Sequence, residues 1–319
     1  MDSVPDSVAA TNSDAHESKR SAVLAGYYKD DFLARLPQSP MRPHSPLMHR
    51  GTWARVMAMR AALRRTAAVC GKDEPLQVLS LGAGFDTLPW MWDEIVAQPY
   101  AALVELDCAK VVEEKRKALG RLPQRDERYR LAQVDLRRAD DVVAVLDAFD
   151  MWRWDRPTVL LSEVVLVYLD PQDSQRCIDV LAARLPRAVA IIYEQIEPND
   201  PFGKVMVQHL EDRGCPLLGI HAYPTLAAYE RRFTHAAVAW DTARAWTMFD
   251  EFEHLLDDVG VAERMRVLRL EPLDEVEEWT LLMRHYCIAV ATRGFAAADS
   301  AAILRQNAQG KPAFNPYMD

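Results

Sequence analysis

The chain has 319 residues, of which 50% are hydrophobic and 27% charged, a balance typical of a globular domain with additions. No apolar run reaches about 18 residues, which excludes a membrane-spanning helix. The formal net charge of −9 gives no overall field for a nucleic-acid backbone, and the five cysteines form no C-x-x-C pair that could begin a zinc site. We therefore expect a cytoplasmic protein with reduced thiols, no metal, and neither a nucleic-acid nor a membrane partner.

The first part of the chain is polar. Residues 1–18 are rich in Ser, Asp, Asn and Ala and lack an apolar core, so we expect a flexible arm rather than a signal peptide or an anchor. Residues 22–65 carry aromatic and aliphatic side chains amid many charges, and a Pro-rich stretch at 37–46 interrupts them. This pattern predicts two helical pieces joined by a loop.

From residue 76 onward, short apolar runs alternate with polar stretches of helical character. The runs lie at residues 77–81, 101–106, 129–134, 158–161 and 188–193. Such alternation predicts an α/β fold in which helices connect the strands of a parallel sheet.

The second half of the chain departs from this repeat. We expect residues 198–256 to form an inserted helical lid, and the last strands to lie at 266–270 and 286–292 with a helix at 274–283 between them. Residues 295–319 are predicted to be a loosely ordered tail.

Four positions recur at or just beyond the ends of successive predicted strands: Gly82, Asp107, Asp135 and Glu163. They follow one another at intervals of 25, 28 and 28 residues. The carboxyl ends of parallel strands meet at one edge of a sheet, where open α/β folds bind their ligands. The spacing therefore predicts that these residues meet one extended, nucleotide-like cofactor.

The first of these positions belongs to a glycine pair, Gly82 and Gly84, that directly follows a buried strand. Glycine allows the bare backbone to approach a cofactor closely. The third glycine of the dinucleotide fingerprint is replaced by Thr87, and no Gly-Lys-Ser/Thr sequence follows. This combination favours S-adenosylmethionine over NAD or ATP.

The three acidic positions have separate expected roles. Glu105 and Asp107 are candidates to accept hydrogen bonds from ribose hydroxyls, and Asp107, at the rim, is preferred. Asp135 either receives an adenine amino group, with Leu136 packing the ring, or caps a helix. Glu163 interrupts an apolar run and must meet either a cationic ligand group or an internal partner, because an unpaired buried charge is costly.

Several motifs in one order resemble the leucine carboxyl methyltransferase family. They include Arg-Gly-Thr-Trp-Ala-Arg-Val at 50–56 and Leu-Gly-Ala-Gly-Phe-Asp-Thr at 81–87, together with residues 19–23, 26–27, 162–168, 193–195, 200–203 and 283–287. The resemblance spans residues 19–294. Val164 stands where relatives often carry cysteine, and the Pro-rich loop and the tail after Gly294 show no family pattern.

The resemblance implies a Rossmann-like class I S-adenosylmethionine-dependent methyltransferase domain with a mostly parallel seven-stranded sheet and helices on both faces. It also implies that Arg55 clamps a carboxylate, that Tyr168 is a second catalytic residue, and that Arg284 is a weaker candidate. The implied cofactor-binding residues are Lys19, Arg55, Gly82, Asp107, Asp135, Leu136 and Glu163.

The implied reaction is methylation of the α-carboxylate of the C-terminal leucine of type 2A protein phosphatase catalytic subunits by a monomer, which regulates holoenzyme assembly. The closest alternative is a related carboxyl methyltransferase that acts on a hypermodified tRNA guanosine. Its usual long C-terminal repeat domain has no counterpart in this sequence. A binding module without catalytic activity is a second alternative, against which the intact motif residues argue.

Overall fold

The computed structural model describes residues 6–37, 44–70, 74–258 and 260–305. Its strands are β1 Gln77–Leu81, β2 Ala102–Asp107, β3 Tyr129–Gln133, β4 Thr158–Glu163, β5 Ala188–Gln195, β6 Thr242–Thr247 and β7 Tyr286–Arg293. Its helices are α1 Asp6–Leu24, α2 Pro46–Cys70, α3 Leu88–Ile95, α4 Ala109–Leu119, α5 Ala139–Asp147, α6 Pro171–Arg184, α7 Pro201–Asp212, α8 Leu226–Thr234, α9 Met248–Asp258, α10 Gly260–Leu270, α11 Val276–Arg284 and α12 Ala297–Ile303. Single 3₁₀ turns lie at Leu33–Arg35 and Leu166–Tyr168.

The strands in the described ranges form one seven-stranded sheet in the order β3-β2-β1-β4-β5-β7-β6. Strands β1 to β5 pair in parallel, and β7 runs antiparallel to both β5 and β6. The reversal of strand order between β1 and β4 creates a crevice at their carboxyl ends. The predicted parallel sheet and its first five strands are confirmed.

Helices cover both faces of the sheet. Neighbouring side chains along a strand point to opposite faces, so each strand contributes to two separate cores. Val78 and Val159 pack in a core with Trp53 of α2, whereas Leu79 and Leu160 pack in a second core with Ile178 of α6. Strand β5 is buried along its whole length, as expected for a central strand covered on both faces. The predicted helices on both faces are confirmed.

The two chain ends differ from the expected flexible arm and loose tail. Residues 6–24 form a continuous helix, which packs on α2, and α12 follows β7 with Ile303 and Leu304 fully buried. The polar composition of α1 gave no sign of an ordered helix. Its order depends on contacts with distant segments, which the local sequence does not reveal. Residues 1–5, 306–319 and the Pro-rich residues 38–43 lie outside the described residues.

The predicted strand at 266–270 is wrong, because these residues end helix α10. The strand that the sequence analysis missed is β6, which lies within residues 198–256, the segment predicted as a helical lid. Its residues pair with β7 at the sheet edge, so that segment combines helices α7, α8 and α9 with one strand of the main sheet. Within the described ranges, no helix has the length and apolar character needed to cross a membrane.

Candidate active site

A cavity of about 360 Å³ opens at the carboxyl ends of β1, β2 and β4, with α1 forming one wall. Its volume falls within the range of pockets that bind small molecules and cofactors. Eight of the predicted site residues line it: Lys19, Arg55, Gly82, Asp107, Asp135, Leu136, Glu163 and Tyr168. The structure therefore brings together residues that the sequence separates by as many as 149 positions.

The loop after β1 lines the cavity and depends on its glycines. Gly82 and Gly84 both adopt positive φ angles, +64° and +52°. A Cβ at Gly82 would lie 2.5 Å from the γ carbons of Val165, and a Cβ at Gly84 would lie 2.5 Å from Asn12 Oδ1. Bare backbone is therefore required at both positions, as expected for a loop that cradles a ligand.

Asp107 is held at the end of β2 by two backbone donors. Gly84 N and Cys108 N each donate to its carboxylate at 2.7 Å. Burial raises the pKa of Asp107 above its ordinary value despite these two bonds. Its neighbouring candidate, Glu105, instead forms a buried ion pair with Lys115 at 2.7 Å and lies away from the cavity.

Lys19, Arg55, Glu163 and Asp86 form a four-charge cluster. Arg55 Nε donates to Glu163 Oε1, and Lys19 Nζ lies 3.2 Å from Glu163 Oε2 and 3.4 Å from Asp86 Oδ2. Burial opposes ionisation of both acids. Arg55 and Lys19 outweigh it and hold the pKa of Glu163 below its ordinary value, and Lys19 and Lys115 lower the pKa of Asp86 to about 2. Internal partners thus neutralise Glu163.

Aromatic rings fix the direction of the Arg55 guanidinium. Its central carbon lies 5.3 Å from the centre of the Tyr193 ring, within the range of a cation–π contact. Tyr193 stacks in turn on Tyr286, with ring centres 5.4 Å apart. This arrangement leaves a rigid, charged guanidinium at the cavity wall.

Asp135 and Leu136 line the end of the cavity next to β3, the edge strand of the sheet. The Arg137 guanidinium donates to both oxygens of Asp135 at 2.9 and 2.7 Å. Helix α5 begins after Arg138, so Asp135 is not its N-cap. Side-chain and backbone bonds from Arg137 lower the pKa of Asp135 and keep an acceptor at this end.

Sequence reasoning missed several cavity residues. Asn12 accepts a hydrogen bond from Phe85 N at 2.8 Å, and the His16 ring meets the Phe85 ring edge-on. Burial lowers the pKa of His16 to about 4, so the imidazole is neutral at pH 7. Both residues lie on α1, whose contacts no local pattern predicts.

Arg284 does not line the cavity, and its guanidinium packs over Phe249 at 5.0 Å. Among the residues that the structure describes, no group of three or more His, Cys, Asp or Glu side chains could hold a metal ion.

The chain matches the family model described as leucine carboxyl methyltransferase over residues 5–182. It is 37% identical to a leucine carboxyl methyltransferase 1 homolog from Arabidopsis thaliana, over 89% of this chain and 88% of that one. It is 35% identical to tRNA wybutosine-synthesizing protein 4 from Homo sapiens, over 89% of this chain but 44% of that protein. This second relative does not fit the expectation of no nucleic-acid partner.

A solved structure shares the fold. A DUF574 family protein from Streptomyces avermitilis matches with a TM-score of 0.53 at 15% identity, over 86% of this chain and 97% of that one.

Proposed function

The chain belongs to the leucine carboxyl methyltransferase family, and on this premise we propose that it transfers a methyl group from S-adenosylmethionine to the α-carboxylate of a C-terminal leucine. The observation that carries the proposal is the joining of Lys19, Arg55, Glu163 and the glycine loop in one cavity. The leucine ends the catalytic subunit of a type 2A protein phosphatase. The product is a leucine methyl ester, which regulates assembly of the phosphatase holoenzyme.

The residues present fit an adenosine-containing cofactor. Gly82 and Gly84 leave room for close backbone approach, and carboxylates at the ends of β2 and after β3 provide acceptors for ribose hydroxyls and an adenine amino group. Leu136 provides apolar surface for the ring, and the four-charge cluster suits the ammonium and carboxylate of an amino acid. When bound, S-adenosylmethionine supplies a methyl group on a positively charged sulfur.

The protein's part in the reaction is to position the two reactants and to exclude water from them. A C-terminal carboxylate has an ordinary pKa of roughly 3.5, so it is already anionic at neutral pH and needs no general base. Arg55, fixed against Tyr193, orients this carboxylate through a planar guanidinium. Tyr168 lines the same wall and helps to orient the substrate. Holding the reactants in line can supply a large part of the rate.

Recognition of a whole phosphatase needs surface beyond the cavity. We assign this role to the segment at 198–256, because α7 packs beside Tyr168 at the cavity wall. The protein acts as a monomer in the cytoplasm, a location with which its five unpaired cysteines agree.

Methyl transfer from labelled S-adenosylmethionine tests the proposal. The substrates are the intact phosphatase catalytic subunit and a version that lacks its terminal leucine. The enzymes are the wild type, Arg55→Ala and a matched control, Arg64→Ala, at an exposed position of the same helix. We expect base-labile label only on the intact subunit, full activity in the control, and at least a hundredfold loss in Arg55→Ala.

A second candidate is esterification of a carboxylate on a modified tRNA guanosine, which the 35% identity to the human tRNA-modifying protein favours. The match to leucine carboxyl methyltransferase relatives covers nearly their full length, and this supports the phosphatase substrate. Label on tRNA carrying the unesterified guanosine side chain, with none on the phosphatase, would replace our proposal with this one.

A further inference from the structure

Glu194 is a fully buried carboxylate that lies behind the cavity wall. It is on the central strand β5, between Tyr193, which stacks on Arg55, and Gln195, which lines the cavity. Glu194 itself is not among the lining residues. A buried charge is costly unless it is well bonded, so its presence requires an explanation.

The segment that Glu194 contacts is a strained turn after β4. Val164 has a φ angle of +55°, in the left-handed region that β-branched residues avoid. Such a conformation costs of the order of 1–3 kcal/mol and persists only where the surrounding structure enforces it. The turn therefore needs a constraint from outside its own sequence.

Glu194 provides this constraint. Its Oε1 accepts hydrogen bonds from Val165 N at 3.2 Å and Leu166 N at 2.9 Å, the two donors that follow the strained residue. On the other side of the turn, Val164 N donates to Tyr193 O at 2.8 Å. Strand β5 thus holds both ends of the turn.

The turn places three parts of the cavity. Glu163 immediately precedes it and pairs with Arg55 and Lys19. Val165 lies so close to Gly82 that a Cβ added at Gly82 would overlap the γ carbons of Val165. Tyr168 follows within the 3₁₀ turn, with its N–H bonded to Val165 O at 3.1 Å. A shift of the turn would therefore move both the charge cluster and the glycine loop.

We propose that Glu194 is a positioning residue of the cofactor site, which enforces the Val164 turn and thereby places Glu163, Val165 and Tyr168. It acts on the cofactor through these residues and not by contact. This inference rests on the proposed function, because it assumes that the cavity binds S-adenosylmethionine.

The ionisation of Glu194 makes the role measurable. Burial raises its pKa to about 7, and Arg232 of α8 together with the N–H groups of the turn opposes this rise. Glu194 also interacts with three titratable groups of the described chain, which are Tyr229 of α8, Tyr168 of the 3₁₀ turn and Cys287 of β7. A carboxylate is a stronger acceptor than a protonated carboxyl group. The turn is therefore held more firmly above pH 7 than below it.

The test measures binding of S-adenosylhomocysteine by calorimetry between pH 6 and pH 8, on the full chain. We expect wild-type affinity to fall about fivefold from pH 8 to pH 6. Glu194→Gln keeps an acceptor but cannot ionise, so its affinity at pH 8 should be about tenfold weaker and nearly independent of pH. Val164→Gly removes the strain. The double variant should therefore bind S-adenosylhomocysteine at least threefold more tightly than Glu194→Gln alone.

The matched control is Glu251→Gln, at another fully buried acid, which pairs with Arg305 away from the cavity. It should keep the wild-type pH profile. If Glu194→Gln does not fold, Val164→Gly alone still decides the question, because relief of the strain should reduce the pH dependence of binding. A wild-type profile in Glu194→Gln, or an unchanged profile in Val164→Gly, would overturn the inference. Absence of binding by the wild type at every pH would instead overturn the proposed function, and the inference with it.

Discussion

The ammonium of Lys19 lies 3.2 Å from the carboxylate of Glu163, although 144 positions separate the two residues in the chain. This ion pair ties helix α1 to the carboxyl end of β4. Arg55 and Asp86 extend it to a cluster of two cations and two anions whose formal charges cancel. A neutral cluster can exchange its internal partners for the carboxylate and ammonium of a bound amino acid group without leaving an unpaired charge.

Replacing Lys19 by Met should weaken cofactor binding while the fold persists. The change removes a charged donor from Glu163 and Asp86, and hydrogen bonds to charged groups contribute about 1.5–3 kcal/mol. We expect the Kd for S-adenosylhomocysteine to rise by roughly 10- to 100-fold. Lys117→Met is the control, because Lys117 is 71% exposed and pairs only on the surface of α4. Equal affinities in the two variants would contradict a role for Lys19 in the site.

Gly82→Ala should impair both the glycine loop and the turn above it. The positive φ angle alone costs an L-residue about 1–2 kcal/mol, and the new Cβ would force Val165 to move. We expect at least a tenfold loss of S-adenosylhomocysteine affinity and a lower free energy of unfolding in urea. Gly120→Ala, at a site with φ of −62° and no atom within 4 Å of the added Cβ, should leave both unchanged or slightly raise stability. The prediction is wrong if the two variants behave alike.

Lys115→Met should strongly destabilise the fold. Lys115 and Glu105 are almost fully buried and pair at 2.7 Å, and Tyr129 donates to the same Glu105 oxygen at 2.8 Å. Removing one partner of a buried pair leaves an uncompensated charge and costs about 3–5 kcal/mol. Urea denaturation should show this loss, and Lys115→Met combined with Glu105→Leu should recover much of it. A double variant less stable than the single one would show that the pair does not act as a unit.

The strand ends were predictable because they follow from two local signals. Each central strand is a short apolar run, and a polar residue follows it at the sheet edge, so Gly82, Asp107 and Glu163 could be placed without knowledge of the fold. Asp135 follows from the same spacing, whereas the family resemblance was needed for Lys19 and Arg55. Neither has a local signal, since each lies on a helix whose orientation depends on tertiary contacts.

The errors arose where tertiary contacts override local pattern. Residues 266–270 resemble a short strand, but they continue a helix that begins at Gly260, and Arg266 bonds the backbone oxygens of Gly26 and Tyr27. The edge strand β6 is only partly buried, so it lacks the continuous apolar run of a central strand. Helix α1 has little apolar surface, and Asn12 on it contacts a loop more than seventy positions away.

The buried carboxyl group of Glu194 should make the stability of the protein depend on pH. Its pKa is about 7 in the folded chain and about 4.5 in a solvated one, so the folded state holds an extra proton between these values. Its contribution to stability is therefore fully present below pH 4.5 and is lost as the pH rises through 7. The two values differ by about 2.5 pH units, which corresponds to roughly 3 kcal/mol.

Glu194→Gln cannot lose this proton, so its free energy of unfolding relative to wild type should rise by up to this amount between pH 5 and pH 8. Urea denaturation of both proteins at each pH measures the difference, in which the other titrating groups cancel. A constant difference would mean that Glu194 does not titrate in this range, and that the positioning carboxylate is ionised throughout.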